Sequence, residues 1–207
     1  MALQYAVTEN RGAAMLTGEY GCGKTLVART LISGLDPEKF EVGLVVNPPP
    51  SGEELLGEIL YQLGSEGRPG GRMEILRHIE EVLYSNAQED KITVVVIDEA
   101  QLIADAKVLE NIRLLLNYQL NDRFLLTLIL VGQPELRPVV QSMPQFEQRI
   151  GLKCHLDPLG PEDTKGLILH RLAVAGCDRS IFSEEAINLI YEHTGGCLLY
   201  TSPSPRD

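Results

Sequence analysis

No stretch of this 207-residue chain stays apolar for long. The longest nearly apolar run, Phe124 to Val131, spans eight residues and contains a Thr. That is far short of the roughly 20 residues needed to cross a bilayer, so a membrane-spanning helix is excluded. Met1 is followed by Ala2, Leu3 and Gln4, with neither a basic region nor an extended apolar core. No secretory signal is read, and a cytoplasmic location is expected. Only four cysteines are present, Cys22, Cys154, Cys177 and Cys197, and no two form C-x-x-C. That spacing suggests neither a zinc site nor a disulfide framework. Basic residues are also scarce: 18 Lys and Arg stand against 29 Asp and Glu, a formal charge of −11. Affinity for a phosphodiester backbone comes mainly from Lys and Arg displacing counterions, so a broad nucleic-acid footprint is disfavoured and only a local basic patch stays open.

What is present is a globular composition, 44% apolar and 23% charged, sufficient for a full core. Ala13 to Thr17 is a short apolar run ending at Gly18, and Val27, Ala28, Leu31 and Ile32 then share a helical face before Gly34. The pattern predicts a strand, a glycine loop and a helix. Glu41 to Asn47 reads as a second strand, broken by Pro48-Pro49-Pro50. Ser51 then caps a helix with Glu53 and Glu54 in its first turn and Leu55, Leu56, Ile59, Leu60 and Leu63 on its buried side. Gly64 to Gly71 reads as a flexible connector before a helix marked by Leu76, Ile79 and Leu83.

Lys91 to Ile97 is rich in β-branched residues, as a strand covered on both faces requires, and it runs into Asp98-Glu99. Val108, Ile112, Leu115 and Leu116 define a helix, Leu125 to Val131 a fourth buried strand ending at Gly132-Gln133, and Leu152 to Leu156 a weaker fifth. This alternation predicts an α/β fold, a five-stranded parallel sheet flanked by helices. Beyond it the pattern is helical only. Pro161 suits a first helical position, with Glu162 and Asp163 beside it and Leu167, Ile168, Leu172 and Ala173 as a stripe. A second helix starts at the Ser183 cap and buries Ile187 and Ile190. The organisation expected is a core over 1–158, a partial helical lid over 159–196, and a Ser/Pro-rich ending over 197–207 that reads as non-native.

Gly18-Glu19-Tyr20-Gly21-Cys22-Gly23-Lys24-Thr25 fits G-x-x-x-x-G-K-[ST] at every fixed position. Glycines let the backbone wrap closely enough for several N–H groups to meet one phosphate, and the following helix adds its positive end. Lys24 is expected to reach the β- and γ-phosphates and Thr25 to ligate Mg²⁺. Such an octet arises by chance in on the order of 1% of chains of this length, given glycine near 7% of residues; its place between a strand and a helix weighs further against a bland glycine turn.

Asp98 is expected in the Mg²⁺ shell, and Glu99 as the group that orients and deprotonates the attacking water. The alternative is a helix cap at Asp98 with a dipole-compatible Glu99. Gln133, after the fourth strand, is a candidate for contact with the γ-phosphate or the water, or else a loop residue before Pro134. Asn47 is expected to close the second strand and hydrogen-bond Glu99 in a resting state, or to be a turn former ahead of prolines. Arg149, before the fifth strand, is a candidate arginine finger toward a neighbouring subunit, or a solvated surface arginine.

The order of P-loop, DEAQ (Asp98 to Gln101), LVGQPEL (Leu130 to Leu136), QRI (Gln148 to Ile150) and a helical lid resembles an AAA+ ATPase. More narrowly, NIRLLLNYQLNDRFLLTLILVGQPEL from Asn111 to Leu136 and HRLAVAG from His170 to Gly176 resemble the general secretion pathway protein A family, the ExeA-like group. The resemblance implies ATP and Mg²⁺ as ligands, Gln133 as sensor 1, Arg149 as the finger and Asn47 as a glutamate switch. It also implies a homo-oligomer when complete, with a protein partner at the cytoplasmic face of the inner membrane, and work in assembling a type II secretion or cell-envelope machine. The family has further residues ahead of the P-loop, and a lid Pro-Arg step where this chain reads Cys197-Leu198-Leu199. A fragment truncated at both ends, with weak hydrolysis, is therefore expected. A transposition-helper ATPase acting on DNA and a nucleotide-dependent switch with little turnover remain alternatives. A DExx helicase is disfavoured, because no second RecA-like domain is present.

Overall fold

The computed structural model describes residues 2–65, 70–103, 105–120, 123–177, 179 and 181–198. The expected ending beyond Leu198 and the middle of the Gly64 to Gly71 connector lie outside these residues. The elements run α1 (Ala2–Thr8), β1 (Ala13–Gly18), α2 (Lys24–Ser33), β2 (Phe40–Val45), α3 (Gly52–Gln62), α4 (Arg72–Gln88) and β3 (Ile92–Ile97). They continue with α5 (Ala106–Leu115), β4 (Gln119–Leu120), β5 (Arg123–Phe124), β6 (Leu126–Gly132), α6 (Leu136–Gln141), α7 (Pro144–Glu147), β7 (Ile150–Leu156), α8 (Pro161–Val174) and α9 (Glu184–Thr194). By compactness the chain divides into one unit of Met1–Thr17 with Lys24–His155, and a second of Gly18–Gly23 with Leu156–Asp207.

The first unit is built on a five-stranded parallel sheet of order β2-β3-β6-β1-β7. Pairing is parallel at Val42↔Val94, Val95↔Leu128 and Met15↔Leu130. The expected apolar runs are buried on both faces, which is why β3 and β6 do not alternate polar with apolar. Met15, Val95, Ile97, Leu128 and Leu130 point into a core shared with Leu55, Leu56, Ile59, Ile79, Leu83, Ile112 and Phe146. Their neighbours Leu16, Val94, Val96, Ile129 and Val131 are also buried but lie outside that cluster; α2 packs on β6. A buried Leu, Ile or Val contributes about 1.5–3 kcal/mol relative to exposure, so these strands hold their register strongly. Because β1 connects onward to β2 and β6 connects to β7, the connections diverge at neighbouring strands, where α/β sheets open a crevice at their carboxyl ends.

Two expected boundaries change. β2 ends at Val45 rather than Asn47, because its register with β3 runs out at Val45↔Ile97 and the Asp98 N–H closes the ladder on Val45 O at 2.8 Å. β7 begins at Ile150, earlier than Leu152, and beyond the buried Ile150 it alternates exposed with half-buried positions as an edge strand does. The short antiparallel pair β4–β5 and the helices α6 and α7 were not legible as separate elements. The Ser51 cap holds, its Oγ accepting from Glu54 N at 3.5 Å.

The second unit contains α8 and α9, which pack on one another. Pro161 stands in the first turn of α8 with Glu162 and Asp163, and Ser183 Oγ accepts from Ala186 N at 3.2 Å to cap α9. The expected α8 stripe is thinner than predicted: Ile168 is buried, Leu167 and Leu172 are half-buried, and Ala173 is exposed. Among the described residues, no helix is long and apolar enough to cross a membrane.

Candidate functional site

The P-loop leaves β1 through Gly18 and enters α2 at Lys24. Gly21 (φ 79°) and Gly23 (φ 88°) occupy the left-handed region, which a side chain disfavours, so these two glycines are required by the path of the backbone. Cys22 is buried and its N–H donates to Glu19 O at 3.3 Å, whereas Glu19 and Tyr20 are exposed. Gly18 is pinned from outside: a Cβ there would meet Leu156 O at 2.5 Å. Leu198 N–H donates to Gly21 O at 2.9 Å, and a Cβ on Gly23 would lie 2.6 Å from Leu198 Cδ1. Cys197 and Leu198 thus lie against the loop, the Cys197 Sγ being 3.8 Å from Tyr20 O.

In the first unit, Lys24 is only 7% exposed at the start of α2, and Thr25 follows it. Thr25 Oγ1 donates to Asp98 Oδ2 at 2.7 Å. The other oxygen, Asp98 Oδ1, accepts the Glu99 backbone N–H at 2.9 Å. Asp98 is 3% exposed, and these two bonds fix the plane of its carboxylate at the end of β3. Burial of a carboxylate is tolerated only when its oxygens are engaged, and here both are.

Glu99 leaves the strand in the left-handed conformation (φ 51°, ψ 35°), unusual for a residue with a side chain. The turn tightens at once into a 3₁₀ segment, Ala100–Leu102, closed by Leu102 N–H to Glu99 O at 2.9 Å. That fold-back carries Gln101 over the end of β6. Its Nε2 donates to Glu99 Oε2 at 2.5 Å, and its Oε1 accepts the Gln133 backbone N–H at 3.0 Å. Thr25, Asp98, Glu99, Gln101 and Gln133 are thus joined in one chain of contacts drawn from the ends of three elements.

The two remaining expected residues stand apart from that chain. Asn47 is exposed in the bend after β2, and among the described residues it makes no hydrogen bond to Glu99. The side-chain partner of Glu99 is Gln101 instead, because the left-handed turn brings the fourth residue of DEAQ back onto the second while β2 stops short of Asn47. Arg149 does directly precede β7; it is half-buried, and its Nη2 donates to Asn117 Oδ1 at 3.3 Å. Gln101 had been visible only as a letter in DEAQ, since nothing in the spacing announces the positive φ at Glu99. Among the described residues, no three or more His, Cys, Asp and Glu side chains group so as to hold a metal ion by themselves.

Comparison with known proteins adds three findings. The family model for the AAA domain matches residues 7–140. General secretion pathway protein A of Aeromonas hydrophila is 35% identical over 198 residues, 94% of this chain, and the chain spans 36% of that protein's length. The Aeropyrum pernix ORC2 protein superposes over 95% of this chain and 56% of its own with a TM-score of 0.72 at 19% identity, and Cdc6p from Pyrobaculum aerophilum over 91% and 52% with a TM-score of 0.66 at 22% identity. At these identities the two structures speak for the fold alone.

Proposed function

The chain belongs to the AAA domain family, and from that premise we propose that it binds Mg²⁺-ATP at the P-loop and hydrolyses it. The observation that carries this reading is the contact of Thr25 Oγ1 with Asp98 Oδ2 at 2.7 Å. Two hard oxygen ligands side by side, one on a helix start after a glycine cradle and the other on a strand end, suit Mg²⁺, which takes few protein oxygens and keeps water and phosphate as the rest. When bound, Mg²⁺ would neutralise charge on the phosphate oxygens.

The chain's own residues supply the remaining work. Gly21 and Gly23 hold the positive φ that a phosphate-cradling backbone uses. Lys24 would supply a positive charge from a largely buried position, where it is weakly screened. Glu99 accepts a proton from the attacking water, for which it must be both ionised and aligned. Gln133 contacts the γ-phosphate or that water. Arg149 reaches across to a neighbouring copy. Calorimetry and phosphate release test the core of the reading: Lys24→Ala should abolish ATP binding, while Glu99→Gln should keep it and lose turnover by about 10²–10⁴-fold. Unchanged ATP affinity in Lys24→Ala would remove the P-loop reading.

The wider role follows from the likeness to General secretion pathway protein A. We infer a cytoplasmic ATPase that oligomerises and drives an assembly step with a protein partner at the inner membrane. The formal charge of −11 supports a protein partner over DNA. Light scattering with and without ATP tests the oligomer, and filter binding with duplex DNA tests the transposition-helper alternative.

A further inference from the structure

Gln101 uses both ends of its carboxamide at once. Its N–H₂ faces Glu99 Oε2 at 2.5 Å and its carbonyl takes the Gln133 N–H at 3.0 Å. Few side chains can do this: an amide offers a donor and an acceptor from one rigid plane, a carboxylate in its place would repel Glu99, and an ammonium has nothing with which to accept. The surroundings are shaped around it. The left-handed turn at Glu99 is what folds the chain back, and Gly132 leaves the room, since a Cβ there would meet Gln101 Oε1 at 2.7 Å and Gln101 N at 3.2 Å. Among the described residues Glu99 Oε1 is left as an open acceptor, so the bond to Oε2 sets which oxygen is available.

We propose that Gln101 is a positioning residue that holds the Glu99 carboxylate in its working orientation and links it to the backbone at Gln133. A shift of the Gln133 loop against a phosphate would move the Gln101 carbonyl, and the same rigid amide would carry that movement to Glu99. This deepens, and rests on, the hydrolysis reading above. A general base acts only within a narrow alignment, and a misplacement on the order of 1 Å costs about 10²-fold in rate, so a residue that touches no substrate can still control turnover.

Two variants separate the two bonds. Gln101→Leu removes both; Gln101→Glu keeps an acceptor for the Gln133 N–H but loses the donor to Glu99 and opposes it with charge. We expect both to bind ATP within about twofold of the parent and to lose about 10- to 100-fold in kcat. Placed in Glu99→Gln, Gln101→Leu should change the residual turnover little, because the residue through which it acts is already disabled. Backbone hydrogen exchange at Gln133, read by NMR without nucleotide, should quicken about tenfold or more in Gln101→Leu and stay slow in Gln101→Glu. Parental kcat in Gln101→Leu, or a full further loss on top of Glu99→Gln, would overturn the proposal. If the parent chain binds ATP without any turnover, the hydrolysis reading fails on its own. The exchange experiment then decides the bridge: slow exchange at Gln133 in both variants overturns it, and quickening confined to Gln101→Leu supports it.

Discussion

The Thr25 hydroxyl and the Asp98 carboxylate meet at 2.7 Å although 73 residues separate them in the chain. The first turn of α2 and the end of β3 are therefore tied by the same two oxygens that are read as Mg²⁺ ligands. Thr25→Ala should reduce the gain in ATP affinity on adding Mg²⁺ by about 10- to 100-fold, the range seen when a ligand or its supporting partner is lost, while affinity in EDTA changes little. Thr25→Ser should restore most of it. An equal loss in EDTA would show that the hydroxyl serves the loop and not the metal.

Gly132 tests the same region from the packing side. Its missing Cβ would lie 2.7 Å from Gln101 Oε1 and 3.1 Å from Leu136 Cδ2. Gly132→Ala needs no forbidden backbone angle, so the fold should survive with a loss of about 1–3 kcal/mol from overpacking, measured by urea unfolding. Turnover should fall further than that small loss explains, because the Gln101 amide must move. Unchanged turnover with lowered stability would mean that the side chain accommodates the methyl group in place.

Arg149 offers a test in trans. An arginine finger is worth about 10³–10⁵ in rate, so Arg149→Ala should bind ATP yet barely hydrolyse it. Lys24→Ala cannot bind ATP but still carries Arg149. Mixing the two inactive proteins should return some activity at mixed interfaces, provided both assemble by light scattering. A mixture as inactive as its parts would leave Arg149 as the partner of Asn117 and nothing more.

Leu198 lies against the loop that is read as the phosphate cradle, 2.6 Å from where a Gly23 Cβ would stand. Leu198→Ala keeps the backbone bond to Gly21 O and trims the side chain. ATP affinity measured by calorimetry should rise about fourfold, the equivalent of ~0.8 kcal/mol for a methylene-sized contact no longer displaced. Equal or weaker affinity would show that the side chain does not compete with nucleotide.

Much about this protein was determined by its sequence alone, and the reason is that the signals are local. The Gly18 to Thr25 octet specifies a backbone path through its own glycines, Ser51 and Ser183 cap the helices that follow them, and the continuous apolar runs in β3 and β6 can be satisfied only between two covered faces. Thr25, Asp98, Glu99 and Gln133 were legible as candidates for the same reason, each standing at the end of a readable element. What only the tertiary structure decided is who meets whom. Strand order depends on pairing between segments far apart in sequence, and β2 stops where its register with β3 ends, which leaves Asn47 exposed past the strand. The hydrogen bond to Glu99 passes instead to Gln101, because a single positive φ at Glu99 reverses the chain over the end of β6. Residue spacing carries no record of that angle; it persists because the paired strands on either side and the two bonds of one amide hold it there.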